Sequence, residues 1–142
     1  MSRTLLLDNS AWTRLPYGAL PESRAREIAD SLQAGRMGTC LPFLLEAGYS
    51  ARGGADYDRL FGELEALPHF AIDADVEHRV LQAQRQLARV GHHRLPPADL
   101  LIAAIAGRHG LGVLHYDRDY DLLREHTALD FESVWLAPAG SL

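Results

Sequence analysis

Most of the 19 acidic residues in this chain fall where a solvated surface would put them: Asp56, Asp58, Glu63, Glu65, Glu77 and Glu132 need no special account. Four other places differ. Asp8 follows directly on the apolar run Leu5-Leu6-Leu7, and Asp117 and Asp119 follow closely on a second apolar run, Leu111 to Leu114. Asp99 stands in the first turn of a greasy segment opened by Pro96-Pro97, and Glu46 interrupts Leu44-Leu45 and Ala47, where a core helix would prefer another leucine. Each has a plain local reading taken singly: Asp8 and Asp117 as turn residues, Asp99 as an acid favoured by the helix dipole, Glu46 as an edge residue facing solvent. Taken together they suggest one site. Carboxylates converging to about 4 Å repel by roughly 4 kcal/mol per pair at an effective dielectric near 20, so a fold that gathers them needs a hard cation to neutralise them. With all-oxygen ligands, Mg²⁺ or Mn²⁺ suits such a cluster better than zinc. A carboxylate-held Mg²⁺ chiefly serves phosphate chemistry, polarising phosphoryl oxygens and activating water.

The acids can meet only if the intervening chain returns them to one edge. Leu5–Leu7 reads as a buried strand, and Ala11 to Leu15 as a short helix stopped by Pro16. A helix from Pro21-Glu22 carries Ala25, Ile28, Ala29 and Leu32 on one face and ends at Gly35. Met37 to Cys40 is a second strand, and Pro42 opens a helix that runs to Gly53-Gly54. Tyr57, Leu60, Phe61, Leu64 and Leu67 mark the next helix, closed by Pro68, and Phe70-Ala71-Ile72 is a third strand candidate. A long helix from Asp73 to Gly91 turns Val76, Val80, Leu87 and Val90 inward. The Pro96-Pro97 segment, Leu100-Leu101-Ile102-Ala103-Ala104-Ile105-Ala106, is apolar all round, as a buried helix is, and Gly110 ends it. Leu111–Leu114, a short helix at Leu122-Leu123 and a last strand over Phe131–Leu136 complete the series. Short apolar strands alternating with helices predict an α/β fold with three layers and a central parallel sheet of about five short strands. In such sheets ligands bind beyond the carboxyl ends of the strands, where Asp8 and Asp117 would lie. One domain over residues 1–137 and a loose tail over 138–142 are expected.

Composition narrows the functions. The chain is 142 residues long with a formal net charge of −5, so it has no bulk positive charge with which to attract phosphate. All 14 basic residues are Arg and none is Lys, which excludes P-loop phosphate binding and Schiff-base chemistry. The single cysteine, Cys40, allows neither a disulfide within the chain nor a thiolate metal cage, and reads as a small core residue. No apolar run nears the roughly 20 residues of a membrane span, and three leucines before Asp8 are too few for a signal peptide, so a cytoplasmic location is expected. His92, His93 and His115 lack zinc-site spacing. Trp12 and Tyr116 could stack a nucleobase but read first as packing residues.

Leu5-Leu6-Leu7-Asp8-Asn9-Ser10, the Glu46 helix, Pro96-Pro97-Ala98-Asp99-Leu100-Leu101-Ile102-Ala103, and Val113-Leu114-His115-Tyr116-Asp117-Arg118-Asp119-Tyr120-Asp121-Leu122 resemble the PIN domain, and more narrowly the VapC toxins of VapBC toxin–antitoxin systems. The resemblance spans nearly the whole chain. It implies a Mg²⁺- or Mn²⁺-dependent endoribonuclease, a VapB-type antitoxin partner, an RNA substrate and a homodimer. It also implies that Asp8, Asp99 and Asp117 hold metal, with Glu46 and Asp119 as further members of the acidic set and Ser10 orienting Asp8. Asn9 stands where the family commonly has Thr. Hydrolysis would proceed by attack of an activated water on phosphorus, with Glu46 or Asp119 orienting or deprotonating it. Arg94 and Arg118, near the acids in sequence, could meet RNA phosphates or serve in structural ion pairs.

Other readings fare worse. A phosphatase of the haloacid-dehalogenase type needs a second acid two residues after the first, where Ser10 stands, and a Lys; receiver domains fail on the same Lys. The rival from another class is a catalytically silent domain gripped by an antitoxin or a sister subunit.

Overall fold

A computed structural model describes residues 3–142. Four short parallel strands form its sheet: β1 (Leu5–Leu7), β2 (Met37–Gly38), β3 (Gly112–His115) and β4 (Glu132–Trp135), in the order β2-β1-β3-β4. The helices are α1 (Asn9–Trp12), α2 (Glu22–Gln33), α3 (Leu41–Tyr49), α4 (Gly54–Leu64), α5 (Ala74–Arg89), α6 (Pro97–His109) and α7 (Asp119–His126). The α/β class and the parallel sheet expected from the sequence are both present.

The strand order sets where a ligand can sit. From β1 the chain moves outward through α2 to β2, whereas from β3 it moves outward through α7 to β4 on the opposite side. Right-handed crossovers therefore put α2 on one face and the helices that follow β2 on the other. The reversal falls between β1 and β3, and at such a switch point a crevice opens beyond the strand ends. Asp8 caps that crevice from one side and Asp117 from the other.

Burial explains the hydropathy pattern. Leu6, Leu7, Val113 and Leu114 are fully buried at the sheet centre. Helix α6 buries Leu100 and all of Ile102 to Ala106, and packs on β1, β3, α3, α5 and α7. Its surroundings on so many sides account for a sequence with no polar face. Gly110 ends it at φ 68°, a left-handed conformation that glycine adopts at least cost.

Two expectations need correction. The sheet has four strands rather than about five, because Phe70-Ala71-Ile72 forms no strand. Only a single parallel bridge joins Thr39 to His69, with Thr39 N donating to Pro68 O at 2.8 Å and Phe70 N to Thr39 O at 2.9 Å. Strand β2 is two residues long and α3 begins at Leu41, so the edge offers no further backbone to pair with. The Phe70 ring lies over Gly38, where a Cβ would come within 2.7 Å of it. The helix expected to stop at Pro16 ends instead at Trp12, and Pro16 sits inside a separate 3-10 turn, Leu15–Tyr17. Residues 138–142 turn back, with Ser141 N donating to Pro138 O and Leu142 N to Tyr116 Oη at 2.8 Å.

Gly112 lies on β3 between its neighbours: a Cβ there would stand 2.6 Å from Leu5 Cδ2 and 3.1 Å from the Glu132 carbonyl. Gly112→Val is expected to destabilise the fold by about 1–3 kcal/mol through overpacking, read as a lower urea midpoint; an unchanged midpoint would show that the strands do not approach so closely.

Candidate metal centre

Asp8 is positioned by the end of β1. Its backbone N–H donates to Leu114 O at 3.0 Å, continuing the β1–β3 ladder by one residue, and its side chain caps α1. The carboxylate is held at both oxygens: Oδ2 accepts from the Ser10 amide at 3.0 Å and from the Ser10 hydroxyl, and Oδ1 accepts from Tyr120 Oη at 2.7 Å. Ser10 Oγ also accepts from Tyr116 N at 2.9 Å, which ties the β1 turn to the loop after β3. Ser10 thus touches Asp8 as an orienting group would.

The other acids reach the same crevice from three more elements. Asp99, in the first turn of α6, is buried at 6 % exposure. Glu46 comes from α3, and Asp117 and Asp119 from the β3–α7 junction, where Asp119 N donates to Asp117 Oδ1 at 2.9 Å. Ligand atoms of Asp8, Glu46 and Asp99 lie within 4.8 Å of one another, and so do those of Asp99, Asp117 and Asp119. All five expected acids are therefore brought together, in two overlapping groups that share Asp99. Among the described residues, neither group contains a histidine or the cysteine.

The electrostatic strain is largest at Asp99. Burial, followed by the charges of Asp8, Asp117, Asp119 and Glu46, pushes its carboxyl up to about 8. Glu46 is raised by burial and then by Asp8 and Asp117, and Asp119 by burial and then by Asp117. Two oxygens of this set, Asp99 Oδ2 and Glu46 Oε1, are buried without any hydrogen-bond partner. An orphaned buried acceptor costs about 1–3 kcal/mol, more when charged. A divalent cation would satisfy both atoms and offset the repulsion, and the all-oxygen donor set fits a hard ion.

Tyr120 and His115 went unread as parts of this site. Tyr120 is fully buried, and burial together with Asp8 and Asp99 raises its phenol well above the ordinary range, so it stays a donor. His115 is buried against it, ring centroids 4.7 Å apart. Burial lowers the His115 pKa to about 4, so the imidazole is neutral. Its Nδ1 accepts from Asp117 N at 3.2 Å, which places its proton on Nε2, facing Ser133 Oγ at 2.7 Å. Ser133 Oγ in turn donates to Asp121 Oδ1 at 2.9 Å, and Trp135 Nε1 donates to Asp121 Oδ2 at 3.0 Å. With both nitrogens engaged, His115 positions the Asp117 loop and is not free to act as a base or a zinc ligand.

The remaining candidates are not members of the two carboxylate groups. Arg94 is exposed in the turn before α6, and Arg118 is exposed beside Asp117. Neither joins an ion pair among the described residues. Trp12 packs edge-on against Phe43, and Tyr116 lies under the Arg14 guanidinium at 4.4 Å. Cys40 is buried, and its thiol is pushed up to about 12, chiefly by burial, as suits a core residue.

The raised Asp99 carboxyl makes stability depend on pH. The folded chain holds that proton while the unfolded chain has lost it above about pH 4, so metal-free stability falls as pH rises toward 8, by up to about 1.4 kcal/mol per pH unit. The acid loss from His115 is confined to lower pH, between its folded value of about 4 and the ordinary imidazole value of 6.5. Between pH 6.5 and 8, Asp99→Asn is therefore expected to flatten the fall in melting temperature seen without metal; parallel curves for the two proteins would refute the assignment.

Comparison with known proteins agrees with this geometry. Residues 5–125 match the PIN domain family. Ribonuclease VapC18 of Mycobacterium tuberculosis is 40% identical over 96% of this chain and 97% of its own, and ribonuclease VapC51 of the same organism is 36% identical over 100% and 99%. Among solved structures, the DNA-bound VapBC of Salmonella typhimurium aligns with a TM-score of 0.72 at 24% identity, covering 96% of this chain and all of the matched one. VapBC2 of Rickettsia felis, bound to a promoter DNA fragment, also reaches 0.72 at 14% identity, covering 92% and 97%. The chain belongs to the PIN domain family and, within it, to the VapC group.

Proposed function

We propose that this chain is a divalent-metal-dependent endoribonuclease and the toxin of a VapBC-type module. The observation that carries the proposal is the crevice itself: five carboxylates from four segments, with two buried oxygens that no protein group satisfies. Relatives similar over nearly the whole chain are ribonucleases by name, and the structural neighbours are VapBC assemblies. Together these favour RNA as substrate and a VapB-type antitoxin as partner.

Asp8, Asp99 and Asp117 would hold the ion, Mg²⁺ or alternatively Mn²⁺, with Glu46 and Asp119 completing the set. The bound ion would polarise a phosphoryl oxygen and lower the pKa of water. Ser10 and Tyr120 keep Asp8 in one orientation, so its carboxylate need not reorganise when substrate arrives. Glu46 and Asp119, both raised above the ordinary carboxylate range, are the groups placed to orient the attacking water and take its proton. Water adds to phosphorus, the bridging P–O bond breaks, and the leaving oxygen acquires a proton. Arg94 and Arg118 are exposed cations that would meet RNA phosphates. No helix among the described residues is long and apolar enough to cross a membrane. A homodimer is part of the proposal. On α3, Leu41, Leu45 and Tyr49 are 49%, 63% and 93% exposed at a spacing of four residues, an apolar stripe suited to burial against a second copy.

Purified chain, free of antitoxin, is expected to cut RNA with Mg²⁺ or Mn²⁺ and to stop when a chelator is added. Asp8→Asn should fold as judged by circular dichroism yet lose at least about 100-fold in rate, since metal-assisted charge stabilisation is worth several kcal/mol. Failure of the unmutated chain to cut any RNA with either metal would favour the silent partner-binding domain.

A further inference from the structure

We infer that the cleft beside the acidic crevice is a subsite for one nucleobase of single-stranded RNA; this rests on the nuclease reading above. The cleft has a volume of about 620 Å³ and runs between the start of α2 and the end of β4, with Arg24, Arg118, Asp121, Trp135 and Ala139 among its walls. That volume lies within the range of about 300–1,000 Å³ typical of small-ligand sites.

Three observations identify the occupant. First, the cleft and the candidate centre are served by one turn of chain. Asp117 and Asp119 face the acidic crevice, while Arg118 and Asp121, from the same turn, line the cleft. A polymer whose phosphate lies at the carboxylates would thus lay an adjacent unit here. Second, the polar groups differ in how far they are committed. Arg24 is used up by the carbonyls of Leu136 and Trp135, at 2.9 and 3.1 Å. The Arg118 guanidinium makes no hydrogen bond or ion pair among the described residues, which leaves an exposed cation for a phosphate at the edge of the cleft. Asp121 accepts one bond at each oxygen, from Ser133 and from Trp135, and each oxygen keeps a further lone pair. Its free capacity is for N–H donors. Every RNA base can supply one, adenine, cytosine and guanine from an amino group and uracil from its ring N3–H. Third, the partly exposed Trp135 indole offers a surface for stacking, the usual way an unpaired base is held. A cation for phosphate, an aromatic surface for the base and a carboxylate for its N–H are together the elements of a nucleotide site.

The chain has two tryptophans, Trp12 and Trp135, so two indole N–H signals can be followed by NMR in the unmutated protein with chelator present, where no cleavage occurs. The signals are assigned with Trp12→Phe or, should that variant fold poorly, with Trp135→Phe. Titration with AMP, CMP, GMP and UMP is expected to move the Trp135 signal and leave Trp12 still. Arg118→Ala is expected to weaken all four and to raise KM for RNA in the metal-loaded enzyme. A Trp135 signal that none of the nucleotides or a short single-stranded RNA moves would overturn the subsite, even in a chain that cuts RNA. Movement of Trp135 by an antitoxin peptide but not by RNA would overturn the subsite in favour of a partner groove. Binding by a chain that never cuts RNA would support the subsite while removing the nuclease reading.

Discussion

Mutual repulsion among buried carboxylates is the constraint around which this molecule is arranged. Asp99 is nearly excluded from solvent, carries an oxygen with no partner, and faces four further acids. No arrangement of neutral side chains would make that favourable, and no arginine reaches into the crevice to pair with it among the described residues. The missing compensation has the chemistry of a divalent ion. With such an ion bound, a chain with a net charge of −5 would gain the local positive charge it needs to hold a polyanion.

The fold answers the constraint by topology and then by hydrogen bonds. Reversal of the chain between β1 and β3 leaves a crevice at the strand ends, and helices α3 and α6 close it with one acid each. Two networks then hold the acids still. Tyr120, fully buried, reaches from α7 to Asp8, and Ser10 links Asp8 to the loop after β3. On the far side of that loop, the amide of Asp117 is held by His115, which faces Ser133 and through it Asp121. Asp121 is therefore shared: it anchors the Asp117 loop and lines the neighbouring cleft. Positioning of the reacting phosphate and of the adjacent nucleotide would then depend on one short turn, residues 117–121.

The acids were legible in the sequence because each broke a local pattern. An acid at the end of an all-apolar strand, in the first turn of an all-apolar helix, or within a leucine run stands out against its neighbours. Asp8, Asp99, Asp117, Asp119 and Glu46 were all found that way, and the parallel sheet followed from the alternation of short apolar runs with helices. Tyr120 was not legible. In Asp119-Tyr120-Asp121 it sits between two acids and reads as surface, and only the three-residue offset from Asp117 on a helical turn shows that its ring points inward. His115 was rightly set aside as a zinc ligand, but its positioning part was not legible: that lies in the pair of bonds it makes to residues 2 and 18 positions away, and periodicity says nothing of those. The fifth strand failed because Phe70-Ala71-Ile72 has strand-like residues but only a two-residue neighbour to pair with. A strand is a property of a pair, and sequence shows one member at a time.

The account stands on a cation bound among these carboxylates, and anomalous diffraction from crystals of the chain grown with Mn²⁺ tests it most directly. The expected result is a manganese peak in contact with Asp8 and Asp99, absent from Asp99→Asn crystals grown in the same way. Manganese found only at other surfaces, or a crevice that stays free of metal at saturating Mn²⁺ while the protein still cuts RNA, would contradict it.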